Sequence, residues 1–231
     1  MSLSSVNLVR RLVGEFLGSA TLAAVVIGSG IAAQQLSPAD VGLELLENAV
    51  VTGAGLYALI VVFSPLSGAH FNPIVSLVNA ATGGMSWFAA LAYIPAQVGG
   101  CVVGALGANV MFSRALVSIS THHRASGPHL LSEVVATTGL IIVIFALARN
   151  GHHTHTPAAV GAYITAAYFF TSSTSFANPA IAVGRMFSNS FAGIAPVSVP
   201  GFVGAEVLGG ALALVLVLYL FPVTLETKAV S

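Results

Sequence analysis

His70-Phe71-Asn72-Pro73-Ile74 and Phe176-Ala177-Asn178-Pro179-Ala180 decide how this chain reads. Each stretch follows an apolar run and opens a second segment too short to cross a bilayer. An Asn side chain caps a helix N-terminus, and Pro is tolerated at the first helical position because its missing N–H is not needed there. The pattern predicts two short helices that start inside a membrane, one in each half of the chain. That arrangement belongs to a pore or a transporter.

Composition sets the class around these two stretches. Charged residues make up 6% of the 231, against about 25% in an ordinary soluble protein, and mean hydropathy is +0.95. Such a chain cannot cover a water-facing surface, which makes it a polytopic protein of the lipid bilayer. Lys plus Arg and Asp plus Glu balance at seven each, leaving no basic face for nucleic acid. Cys101 is the only cysteine and lies in an apolar stretch, so it reads as a small buried residue with no intrachain disulfide and no redox role. Arg10-Arg11 precede a long apolar run without a convincing cleavage site. That run reads as a first spanning helix rather than a removed leader.

A spanning helix needs roughly 20 apolar residues to cross a hydrocarbon core of about 30 Å. Six segments qualify, at about 10–33, 41–63, 86–110, 129–148, 158–174 and 199–221. The connectors carry turn and polar residues: Ser37 to Asp40, Ser113 to Pro128, Arg149 to Pro157, and Pro196 with Pro200. Two pieces remain, at about 72–81 and 178–188. Ten helical residues reach about 15 Å, half the hydrocarbon thickness. Two such half-helices cross the membrane only by meeting end to end.

The halves also repeat. Glu15 with Ser19 is echoed by Glu133 with Thr137, and Gln97 with Gly100 by Glu206 with Gly209. Three spans per half is an odd number, so the second half enters with the opposite orientation. An inverted repeat places its substrate site near the midplane, where broken helices meet. The expected architecture is all-α: six transmembrane helices plus two re-entrant half-helices, one channel domain over 1–231 with repeats at about 1–111 and 129–224. Arg10, Arg11, Arg149 and Lys228 would lie on the inner side against Arg114, Arg124 and Arg185 outside, which favours cytoplasmic termini.

Several side chains have physical roles from this arrangement alone. Non-helical backbone at membrane depth is tolerated where it lines a cavity or is buried in protein, so Gly68, Ala69 and His70, and Thr174, Ser175 and Phe176, are expected to present carbonyls as a ladder of acceptors. Asn72 and Asn178 both cap and donate to a passing oxygen. Glu15 and Glu133 are ionisable groups inside spanning helices, which marks them as functional. Their symmetry points to accepting N–H groups of the two loops, with a proton relay as the alternative. Gly14 with Gly18 and Gly100 with Gly104 let helices approach closely. His122-His123 and His152-His153 with His155 lack Cys or carboxylate partners at ligand spacing. They read as solvated loops, with pH or metal gating as the alternative; no metal or other cofactor is expected. No nucleophile, base and oxyanion set appears at a recognisable spacing, which argues against an enzyme.

Over essentially its whole length the chain resembles the aquaporin and aquaglyceroporin family of major intrinsic proteins. The resemblance rests on Ser67-Gly68-Ala69-His70-Phe71-Asn72-Pro73, Ala96-Gln97, the paired Glu15 and Glu133, and Asn178-Pro179-Ala180. The first motif reads Asn72-Pro73-Ile74 where the family usually has Ala. The resemblance implies the aquaporin fold, a homotetramer with one pore per subunit, and exclusion of protons and cations by half-helix dipoles, as in aquaporin-type pores. It also implies a four-residue filter. By offset from the motifs these positions are Thr52, Ala166, Ser175 and Ile181, with Ile181 where many members carry Arg, and Ala182 where glycerol channels carry Asp. Such a set is small and neutral. Arg185, one helical turn beyond Ile181, is either a vestibule charge or a loop brace. The expected activity is passive transport of water and small neutral solutes, including glycerol-like polyols and metalloid hydroxides such as arsenous acid. The alternatives are a water-selective pore and one that also passes anions. The cell membrane, in particular a prokaryotic inner membrane, is the expected location.

Overall fold

The computed structural model describes residues 6–222; Lys228 and the last residues of the second repeat lie outside that range. Every regular element among them is helical. The long helices are α1 (Leu8–Leu36), α2 (Val41–Ser67), α4 (Trp87–Met111), α5 (Gly127–Arg149), α6 (Thr156–Phe170) and α8 (Val199–Leu220). The half-helices are α3 (Pro73–Ala81) and α7 (Pro179–Arg185). Five of the long helices are long and apolar enough to span a bilayer. The remaining one, α6, has 15 residues, about 22 Å of helix, and is extended at its start by a 3₁₀ turn over His153–His155.

Helix starts follow the capping chemistry of the sequence. Asn7, Asp40, Ser86 and Ser126 each accept an N–H from the first turn of α1, α2, α4 and α5. Two ends fall short of expectation. α6 stops at Phe170 rather than near 174, because Thr171 turns extended and its hydroxyl donates to the Ala167 carbonyl at 2.6 Å. A hydroxyl satisfying the last carbonyls in this way competes with continued helix. α7 stops at Arg185 rather than 188, as Met186 and Phe187 donate to Val183 and Gly184 in tight i→i−3 bonds.

Close packing of backbones holds the bundle, since lipid tails are as apolar as the side chains and give no hydrophobic drive between helices. α1 packs on α4, and a Cβ on Gly104 would come within 2.0 Å of the Ala20 carbonyl oxygen. In the second half α8 packs on α5 in the same way, with Gly209 against the Val134 carbonyl oxygen. The halves meet where α2 crosses α6, at Gly53 and Gly161. Large apolar side chains such as Val62, Phe88, Leu131, Phe170 and Val215 point outward, an apolar surface suited to lipid.

The Ile in the first motif is accommodated by one glycine. Ile74 packs where a Cβ on Gly210 would sit 2.4 Å from its Cγ2. By the internal symmetry Cys101 stands in α4 where Gly210 stands in α8, and Ala180 where Ile74 stands. The larger residue of the pair thus stands in the motif in the first half and in the helix in the second.

Candidate functional site

Two loops enter the bundle and end at the half-helices. Their backbones match residue for residue. Counting back from each Asn, the positions four, three and one before it all have positive φ: Gly68, Ala69 and Phe71 in the first loop, Thr174, Ser175 and Ala177 in the second. Five of these six are not glycine, and each such residue costs on the order of 1–3 kcal/mol unless its surroundings hold it.

Buried carboxylates do the holding. Glu15 Oε1 accepts from the His70 N–H at 3.0 Å and the Ser67 hydroxyl at 2.6 Å, and Oε2 from the Phe71 N–H at 2.7 Å. Glu133 Oε1 accepts from the Phe176 N–H at 2.9 Å, and Oε2 from the Ala177 N–H at 2.7 Å. Hydrogen bonds to charged groups contribute about 1.5–3 kcal/mol each, which is the scale of the strain they offset. Gln97 Nε2 donates to Glu15 Oε2 and to the Ser76 hydroxyl. Glu206, in the equivalent place of the second half, accepts the Asn178 N–H at 3.0 Å. His70 is braced on both ring nitrogens, by Ser76 and Asn79.

The two Asn residues cap their helices and cross-link the halves. Asn72 Oδ1 accepts from Ile74, and Asn178 Oδ1 from Ala180 and Ile181. Asn72 Nδ2 donates to the Ala177 carbonyl at 2.7 Å, and Asn178 Nδ2 donates to the Phe71 carbonyl at 2.8 Å. Each amide has a second N–H beyond the one used here, and both Asn residues border a cavity.

That cavity is about 430 Å³ and extends past both loops, from Gly84, Ala148 and His153 at one end to Thr52, Tyr168 and Arg185 at the other. Gly68, Ala69, His70, Phe71, Ser175 and Phe176 lie along one side, and aliphatic side chains such as Val26, Leu56, Ile60, Leu140 and Ile144 along the rest. Thr174, expected in the ladder, does not border it.

Of the four offset positions, Thr52, Ser175 and Ile181 border the cavity together. Ala166 does not. It is exposed on the outer face of α6, because that helix turns Thr156, Val160, Ile164 and Tyr168 inward at i+4 spacing, and a residue two positions from Ile164 points the opposite way. Tyr168 is the residue that counting from the motif missed; its hydroxyl lies 3.2 Å from the Thr52 hydroxyl. The i+4 stripe was the signal that would have found it. Arg185 also borders the cavity, although its residue is only 2% exposed.

The loop between α4 and α5 packs against the chain that follows α7, where Ser118 and Ser120 donate to the Phe187 and Met186 carbonyls. Arg124 donates to the Gly193 and Phe191 carbonyls, both at 2.7 Å. Burial pulls the pKa of its guanidinium down. Burial and then the Arg124 charge hold the His122 imidazole below its usual range. No group of three or more His, Cys, Asp or Glu suited to a metal ion occurs among the described residues.

A sequence profile described as "Major intrinsic protein" matches residues 2–211. The chain belongs to this family. It is 48% identical to the aquaglyceroporin AqpS of Rhizobium meliloti (strain 1021) over 214 residues, 93% of this chain and 91% of that one. It is 30% identical to a glycerol uptake facilitator protein of Streptococcus pneumoniae (strain ATCC BAA-255 / R6), over 61% of this chain and 65% of that one. The fold matches the X-ray structure of the aquaglyceroporin from Plasmodium falciparum with a TM-score of 0.70 and 20% identity, covering 90% of this chain and 94% of that one. As a major intrinsic protein the chain is an integral membrane channel, not an enzyme, and it has the aquaporin fold.

Proposed function

We propose that this channel passes water and small neutral solutes: polyols of the glycerol type and metalloid hydroxides such as arsenous acid. The composition of the cavity wall carries this reading. The two loops and both motif Asn residues lie along one side, the other is mainly aliphatic with Thr52, Thr156, Tyr168 and Arg185 among it, and no carboxylate of the described residues borders the cavity. A polyhydroxy solute exchanges its water hydrogen bonds for the first side and lays its apolar face on the second. A cation meets two half-helix N-terminal ends and no counter-charge. The chain's similarity to an aquaglyceroporin and to a glycerol uptake facilitator supports a solute channel.

The filter consists of Thr52, Ser175 and Ile181, with Tyr168 as the fourth residue in place of Ala166. Ile181 leaves the position after the second motif uncharged and apolar, which suits solutes wider than water. Glu15 and Glu133 support the loops, and the motif residues Asn72, Pro73, Ile74, Asn178, Pro179 and Ala180 form the midpoint. The functional unit is a homotetramer in the cell membrane, a prokaryotic inner membrane in this reading.

Stopped-flow light scattering on proteoliposomes tests this, with water, glycerol and arsenous acid compared in wild type and Ile181→Arg. Fast entry of both solutes is expected in the wild type. In the variant, glycerol and arsenous acid entry should fall far more than water entry. Wild-type vesicles that admit water and exclude both solutes would make this a water-selective pore.

A further inference from the structure

Arg185 ends α7 four residues beyond Ile181, on the same face of the half-helix. Helical side chains lean toward the N-terminus of their helix, so its head returns toward the level of Ile181. Two contacts hold it there. The guanidinium carbon lies 3.4 Å from the centroid of the Phe176 ring, a face-on cation–π contact, and Nε donates to the Ala192 carbonyl. Phe176 is itself fixed edge-on against Phe202, with ring centroids 5.0 Å apart.

These contacts leave most of the head unused. A guanidinium has five N–H donors and is always charged. Apart from Nε, no Arg185 nitrogen has a hydrogen-bond partner among the described residues, yet the side chain borders the cavity. The Ser175 hydroxyl, on the same cavity, is also buried without a partner. Arg124 approaches the Phe176 ring as well, at 5.5 Å, but it donates to two loop carbonyls and does not border the cavity. Of these two guanidinium groups, only Arg185 is presented to a permeating molecule.

We propose that Arg185 is the specificity-determining cation of this pore, donating to solute hydroxyls opposite Thr52 and Ser175, repelling cations and setting the upper size of the solute. The charge that Ile181 leaves out is supplied from one turn farther along. This rests on the solute-channel reading above.

The test measures the permeability ratio of a four-carbon polyol to water, and cation current, in proteoliposomes of wild type, Arg185→Ala, Arg185→Lys and Phe176→Leu. Arg185→Ala should raise the polyol-to-water ratio severalfold and admit a cation leak absent from the wild type. Arg185→Lys keeps the charge but loses the planar fork, so cations should stay excluded while the ratio shifts. Phe176→Leu removes the platform without touching Arg185 and should also raise the ratio, which keeps the test alive if Arg185→Ala does not fold. An unchanged ratio in the folded variants means that Arg185 only braces the loop at Ala192, and overturns the proposal. Wild-type vesicles that pass no glycerol and no arsenous acid overturn the solute-channel reading instead.

Discussion

Glu206 breaks the internal symmetry by chemistry and keeps it by position. Its counterpart Gln97 is a donor to Glu15, whereas Glu206 Oε1 accepts the N–H of Asn178 and Oε2 has no partner among the described residues. A glutamine has the same shape, one acceptor and two donors, so it can accept the Asn178 N–H through its oxygen. Glu206→Gln is therefore expected to melt close to the wild type and to conduct. Glu206→Leu strands a buried N–H at the second motif, a loss of about 1–3 kcal/mol. Thermal melting in detergent, followed by water flux, separates the two. Equal loss in both variants would show that a carboxylate is required at 206.

Among the elements, glycine contacts fix how closely the helices lie. A Cβ at Gly104 meets the Ala20 carbonyl oxygen at 2.0 Å, while a Cβ at Gly107, on the same helix, has open space. Gly104→Ala should force α1 and α4 apart, with a cost of about 1–3 kcal/mol. Gly107→Ala should be neutral or stabilising, by up to about 1 kcal/mol of helix propensity. Monodisperse yield and melting temperature of the two variants check this. Much of the element plan was legible in the sequence. Long apolar runs and the caps at Asp40, Ser86 and Asn72 are local signals, and the two Asn-Pro pairs mark the half-helices directly. The wall of α6 was not legible from motif spacing. Counting back from Asn178 assumes an unbroken relation between helix and loop, and the non-helical backbone from Thr171 to Ala177, with positive φ at Thr174, Ser175 and Ala177, resets that relation, putting Tyr168 inward and Ala166 outward. The seat of Arg185 was equally hidden, because Ala192 reaches it only once the chain after α7 has folded back.

For the molecule as a whole, an even number of spans returns both ends of the bundle to one face, and the inverted halves bring two helix N-termini together at the centre. With no carboxylate among the described cavity residues, the field along the path has one sign. Voltage across a planar bilayer holding the reconstituted protein is expected to draw no ionic current while glycerol still equilibrates. A current carried by chloride would instead make this an anion-passing channel. The reciprocal amide bonds, Asn72 to the Ala177 carbonyl and Asn178 to the Phe71 carbonyl, also bear on how the protein is made. Synthesis delivers the first loop more than a hundred residues ahead of its partner. Until then Asn72 lacks its acceptor and Phe71 its donor, so the newborn first half holds an unfinished polar surface within the membrane. A chain stopped after its third span lacks both Asn178 and the Ala177 carbonyl, and with them the two bonds that join the loops.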